Sequence, residues 1–204
     1  MKTFLITIFL LVSILCFTQL EHYYENGQIK TSLVLENDSV KETSYYQNGN
    51  IRSVGFFDLD ERRQGKWKEY YENGNLWVEG SFLNGKQNGK WYELYENGQL
   101  KGEGNYVNEK ENGTWKVYYD NGKLEKEGNV IDGKEDGTWK YFYKTSELQS
   151  EGDWKDGKRN GIWHGFHENG TKRRKSYFNM GEITEETCWD KKGNETRCKE
   201  VVEN

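Results

Sequence analysis

Four glutamates, Glu79, Glu103, Glu127 and Glu151, return once every 24 residues, and paired carboxylates can share acid–base work. Successive copies on a two-strand repeat would stand about 10 Å apart. Neither a histidine nor a nucleophile accompanies them at the same period, so a solvated ladder or a bracing role at turns is expected. His164 and His167 form His-x-x-His, a spacing that shares a metal on a helix but points opposite ways on a strand. His164 stands where other copies carry Lys68 or Lys140, and His167 where they carry Tyr71 or Tyr143. The run Asp132-Gly133-Lys134-Glu135-Asp136-Gly137 and its counterpart from Asn84 to Gly89 resemble calcium loops in composition. Lys134 and Lys86 occupy the place of an acidic ligand, and turn formation accounts for the rest. No catalytic residue, cofactor or metal is expected.

Two further groups carry chemistry. Lys172-Arg173-Arg174-Lys175 replaces Leu76-Trp77-Val78-Glu79 of an earlier copy. Half of it would face the aromatic side of a sheet, which fits either an anionic partner or lipid, or a divergent repeat that ends an array. Cys188 and Cys198 flank Asp190-Lys191-Lys192-Gly193, the composition of a three-residue hairpin loop. In that register the thiols share a side, diagonally offset, and a disulfide is the natural reading for an even pair in an oxidising compartment.

The element that must position all of these is a repeat. Trp67, Trp91, Trp115, Trp139 and Trp163 stand 24 residues apart, and around each the same text returns, as in Gly65-Lys66-Trp67-Lys68-Glu69-Tyr70-Tyr71-Glu72-Asn73-Gly74-Asn75-Leu76. Looser copies precede, at Tyr23-Tyr24-Glu25-Asn26-Gly27 and Tyr45-Tyr46-Gln47-Asn48-Gly49. Asn73-Gly74 is expected to form a two-residue hairpin turn of type I′. That turn pairs Trp67 with Gly80 and gathers Trp67, Tyr71, Leu76, Gly80 and Phe82 on one face, with Lys68, Glu72, Trp77 and Glu79 on the other. Tyr70 falls on the polar face although its position stays apolar or aromatic throughout. Each indole is expected to cover its partner glycine, which has no side chain of its own to pack.

Of the 204 residues, 33% are hydrophobic and 15% aromatic, so burial must come largely from Trp, Tyr and Phe. With 23 Gly and no Pro, the punctuation suits tight turns. A net charge of −5 with both signs interspersed excludes the basic footprint of a nucleic-acid binder. Residues 1–20 read as a charged start and a short apolar run, a secretory signal or an uncleaved anchor. Residues 21–62 hold the divergent first repeats, 63–180 the five regular ones, and 181–204 a C-terminal capping hairpin.

The unit Trp-x-x-Tyr-Tyr-x-Asn-Gly-x-Leu-x-x-Glu-Gly-x-aromatic-x-x-Gly-Lys-x-x-Gly resembles the MORN repeat variant over residues 23 to about 198. The resemblance implies an all-β fold: an elongated, single-layer antiparallel hairpin array behind an N-terminal signal helix. It also implies protein binding rather than catalysis, since similar exported bacterial repeat proteins ending like Cys188-Trp189-Asp190 are often labelled antitoxin components. The expected function is a non-enzymatic, secreted or periplasmic scaffold for a protein or peptide, with a glycan or cell-envelope polymer as the alternative ligand. Trp67, Tyr71, Trp91, Tyr95, Trp115, Tyr119, Trp139, Tyr143 and Trp163 are the candidate binding face. Membrane contact is expected only through an uncleaved signal or the cluster from Lys172 to Lys175.

Overall fold

The computed structural model describes residues 19–198; the expected signal helix lies outside the described residues. Among them are eighteen β-strands and no helix, all in antiparallel sheet. Two units are distinguished, residues 1–100 with 106–109 and residues 101–105 with 110–204, so the division falls within one strand.

The first unit contains β1 (Gln19–Tyr23), β2 (Ile29–Glu36), β3 (Ser39–Tyr45), β4 (Ile51–Asp58), β5 (Arg63–Tyr70), β6 (Leu76–Leu83), β7 (Lys86–Gln87), β8 (Gly89–Leu94) and both ends of β9 (Leu100–Val107). From β1 to β7 each strand pairs with its successor, and β8 pairs back onto β6. The second unit takes the middle of β9, then β10 (Lys110–Glu111), β11 (Gly113–Tyr118), β12 (Leu124–Ile131), β13 (Lys134–Phe142), β14 (Leu148–Lys155), β15 (Lys158–Phe166), β16 (Lys172–Asn179), β17 (Glu182–Trp189) and β18 (Glu195–Thr196). From β11 to β18 the ladder is again strictly sequential. β1 begins at Gln19, two residues inside the expected signal segment.

Trp67 does pair with Gly80, but the expected turn is replaced by two other devices. The Tyr71-to-Gly74 turn closes with Gly74 N–H on Tyr71 O at 2.9 Å, and Tyr71 N–H reaches Asn75 O at 2.8 Å. Only Gly74 takes a positive φ, +91°, and Asn73 instead uses its Oδ1 to accept the Asn75 N–H at 2.9 Å. The loop is therefore three residues long, with glycine in the left-handed position. One residue later the register shifts: Tyr70 pairs with Leu76 but Glu69 pairs with Val78. Trp77 is bulged out, and that extra residue cancels the extra loop residue.

The bulge also corrects the expected division of faces. Leu76 lies opposite Tyr70, on the Lys68 side, so the apolar residue at the Tyr70 position has an apolar partner after all. Trp77 joins the Trp67 side, its ring 5.9 Å from that of Tyr71. Type I′ turns occur at the opposite ends of the strands, where Asn84-Gly85 has φ +52° and +81° and Asp132-Gly133 has +52° and +81°.

The glycine beneath each indole is likewise not the expected one. A Cβ on Gly55 would fall 2.1 Å from Trp67 Cδ2, so Trp67 covers Gly55, one strand back. Trp91 covers Gly80, Trp115 covers Gly104, Trp139 covers Gly128 and Trp163 covers Gly152. A glycine flanks the tryptophan on its other side too, as in the pairs Trp115 with Gly128 and Trp139 with Gly152. Across the strands of the second unit the row reads Gly104, Trp115, Gly128, Trp139, Gly152, Trp163, Ser176. The core of each unit is built on this row.

Candidate binding site

The tryptophans first expected to bind are the core. Trp67, Trp139 and Trp163 are 3%, 3% and 4% exposed, and Trp91 and Trp115 are half-buried. Aromatic rings two residues beyond the covered glycines close on them edgewise: Phe57 on Trp67 at 5.1 Å, Phe82 on Trp91 at 5.4 Å and Trp154 on Trp163 at 5.8 Å. Three indole N–H groups donate to the carbonyl that follows the covered glycine. These are Trp67 to Phe56 at 3.1 Å, Trp139 to Asn129 at 3.0 Å and Trp163 to Asp153 at 3.0 Å.

The tyrosines of the expected face hold one repeat to the next. Tyr71 Oη donates to Leu94 O at 2.8 Å, Tyr119 Oη to Phe142 O at 2.7 Å and Tyr143 Oη to Phe166 O at 2.8 Å. Tyr24 and Tyr46 make the same bond to Tyr45 O and Tyr70 O in the looser copies. Tyr95 sits at the equivalent turn, its N–H on Gln99 O at 2.8 Å. His167 takes the tyrosine's place in the last copy, with Nε2 2.9 Å from Trp189 O. This clamp was missed in the sequence, although the recurring tyrosine two residues before each Asn-Gly or its equivalent, polar yet on the packed face, was its signal.

The recurring glutamates form ion pairs and hydrogen bonds along the other face. Glu79 meets Lys68 at 3.2 Å and Lys66 at 3.5 Å, and Glu127 meets Lys116 at 3.7 Å. Glu151 lies between Lys140 and His164 in the register. Partial desolvation raises the Glu79 carboxyl, but the hydrogen bonds and charges of Lys68 and Lys66 outweigh it and leave it below its ordinary range. Glu103 accepts from Tyr118 Oη at 2.7 Å. Burial, with that bond and the neighbouring carboxylate charge behind it, pushes the phenol of Tyr118 up to about 12.

Cys188 and Cys198 form the expected disulfide, with Cα atoms 5.2 Å apart. The loop between them is the expected three-residue one: Gly193 N–H donates to Asp190 O, and Asp190 N–H to Asn194 O. Cys188 lies opposite Thr196, two residues short of Cys198, which is the diagonal offset. Glu186 stands near both sulfurs, but these are spent on each other. Asp132 and Gly133 of the calcium-like run form a type I′ turn, with Lys110 Nζ 4.0 Å from Asp132.

What remains at the surface is different from the expected face. Leu83 and Val107, each three residues beyond a covered glycine in successive copies of the first unit, are 52% and 45% exposed, and Ile131 at the same position of the second unit is 49% exposed. Each ends a strand beside a tight turn. In the second unit a cleft of about 710 Å³ is lined by residues of β13 to β17 together with Cys198.

Recurring hairpins, joined by stacked turns and a shared aromatic row, define an all-β repeat protein. The MORN repeat variant model matches residues 19–37, 40–58, 63–84, 87–108, 111–132 and 135–156, and the chain belongs to that family. No curated protein matches it. Among solved structures it is similar to part of TcdB2-TccC3-Cdc42, at 12% identity and a TM-score of 0.25 over 84% of this chain and 13% of that one. It is likewise similar to TcdB2-TccC3, at 14% identity and 0.27 over 83% and 12%. The chain thus spans about an eighth of the structures it matches, and likeness at this level carries no argument.

Proposed function

We propose that this chain is an exported, non-enzymatic scaffold that binds a protein or peptide. Repeat arrays serve such a role because identical units present one side chain at a fixed interval. The exposed aliphatic position held by Leu83, Val107 and Ile131 supports the reading most directly. An aliphatic residue kept at one surface position through successive copies has no packing duty to explain it, and apolar surface of this kind is characteristic of protein contacts. An antitoxin-like role falls within this reading, with a toxin protein as the partner. The disulfide supports export, since such bonds persist in oxidising compartments.

The polymer-binding alternative needs ring faces open to sugars. Trp67, Trp139 and Trp163 turn theirs onto glycines, which weakens that alternative.

The test is an affinity capture from the native envelope fraction with wild type, Leu83→Asp and Trp115→Ala. Leu83→Asp is expected to keep its near-ultraviolet circular dichroism and lose the captured protein. Unchanged capture by a folded Leu83→Asp chain would remove the aliphatic row from the interface.

A further inference from the structure

The last regular repeat differs from the one before it in three places, and the three converge. Gly165 stands where earlier copies carry Glu69, Glu93, Val117 and Tyr141, so the floor of the Trp163 face lacks a side chain there. Arg173 occupies the bulge, because Gly165 pairs with Arg174 but Phe166 pairs with Lys172. Consecutive strand residues ordinarily point to opposite sides, and a bulge re-aims one of them. Both arginines thus lie over the missing side chain. A Cβ on Gly165 would meet Arg174 Cβ at 3.4 Å and Arg173 Nε and Nη2 at 3.7 Å. Arg159 replaces Glu135 of the preceding copy and lies over the Trp163 ring at 4.5 Å and Phe178 at 5.6 Å.

These groups line the cleft of about 710 Å³, within the usual range of ligand sites. Among the described residues, its only acidic lining residue is Glu186. That carboxylate is already held, by Arg174 Nη1 at 3.1 Å and by Ser176 Oγ at 3.0 Å. Among the described residues, neither Arg159 nor Arg173 has an ion-pair partner. The cleft therefore has two guanidinium groups in excess of its own carboxylate. One is fixed on an aromatic ring, which restrains the side chain while leaving its N–H edge for a ligand. The floor of Trp163, Phe178 and Tyr141 is apolar.

We infer that this cleft binds an acidic peptide segment of the protein partner, its carboxylates on Arg173 and Arg159 and its apolar side chains against Trp163 and Phe178. Glu186 is the internal example: a carboxylate already held in the same cleft by Arg174. Planar, forked guanidinium groups match carboxylates two bonds at a time. The inference rests on the scaffold reading, and names the chemistry of the partner at a second place on the chain.

The test is fluorescence anisotropy of a labelled acetyl-Glu-Phe-Glu-Phe-Glu amide against the full, oxidised chain. Wild type should bind it, and should not bind the peptide with glutamine for each glutamate. Arg173→Gln, an exposed position, should weaken binding about tenfold or more at an unchanged thermal midpoint. No binding by wild type, equal binding of the glutamine peptide, or equal affinity in Arg173→Gln would overturn the inference. So would inorganic phosphate or phosphatidylserine vesicles displacing the peptide as well as unlabelled peptide does. The scaffold reading fails separately, if wild type captures no protein from the envelope fraction; should folded Arg173→Gln retain the full captured partner, the acidic cleft fails and the scaffold stands.

Discussion

The indole of Trp139 lies over Gly128, one strand back, while Gly152, its own hairpin partner, is covered by Trp163. Each repeat is therefore fastened to its predecessor by a ring that needs a bare backbone beneath it. A methyl group on Gly128 would fall 2.1 Å from Trp139 Cδ2. Gly128→Ala is expected to lower stability by about 1–3 kcal/mol, the usual cost of overpacking, read as the midpoint of chemical unfolding. Gly102→Ala is the control. Its Cβ would meet only Lys116 O at 3.6 Å, and no comparable loss is expected.

Trp139→Ala should cost about 3–5 kcal/mol, as for other buried aromatics, and should reduce the near-ultraviolet circular dichroism. Trp77→Ala removes a bulged ring that is 38% exposed and should cost about 1 kcal/mol or less. Equal losses in the two variants would contradict the division between packed and bulged tryptophans.

Tyr143→Phe keeps the ring and removes the hydroxyl that donates to Phe166 O. A loss of about 1 kcal/mol is expected, the net worth of one hydrogen bond plus the unpaired carbonyl. Hydrogen exchange should show the change at the turn from His167 to Gly170, the next copy along, rather than throughout the chain.

Tyr118 should ionise late, because burial and the Glu103 carboxylate disfavour its anion. Its folded value near 12 lies above the ordinary 10.0, so its contribution to stability is complete below pH 10 and is lost as pH rises toward 12. A tyrosinate absorbance titration should lose one late-titrating phenol in Tyr118→Phe. That variant should also lose less stability between these pH values than wild type.

Reduction of Cys188–Cys198 should act locally. β18 has two paired residues, Glu195 and Thr196, and the bond that closes the 10-residue separation should be worth about 2–3 kcal/mol. Thiol reductant is expected to expose the amides of β18 to exchange while those around Trp139 stay protected.

Much of this was legible in the sequence, though one part came out right through two compensating errors. The pairing of Trp67 with Gly80 follows from a two-residue turn at Asn73-Gly74, yet the chain uses a three-residue loop and expels Trp77. A loop residue and a bulge residue offset each other, so the alternation of side chains away from the turn is identical in both arrangements. Asn-Gly does not separate them, because both place glycine at positive φ. The odd placement of Tyr70 was the trace of the bulge. The disulfide and its loop were legible because ten residues leave few geometries.

The functional surface was less legible. Recurrence made Trp67 to Trp163 look like binding anchors, but residues recur for packing as readily as for partners. Which glycine an indole covers depends on how the side chain leans, and spacing is silent on that. The cluster from Lys172 to Lys175 stood out as charge. Its convergence with Arg159 did not, because that depends on β15 lying beside β16 and on the empty place at Gly165.

The leaning of the indoles gives the array a grammar with a direction. A copy can be added only behind one that offers a glycine, much as a tile needs the lip of the tile before it. Trp67 finds its lip at Gly55, in the divergent segment ahead of the regular copies. At the far end Ser176, 2% exposed, faces Trp163 on one side and Glu186 on the other, to which its hydroxyl is bonded. That serine and glutamate stand where a glycine and tryptophan would continue the row, so the pair works as a full stop: lengthening this chain by duplication must happen upstream of it.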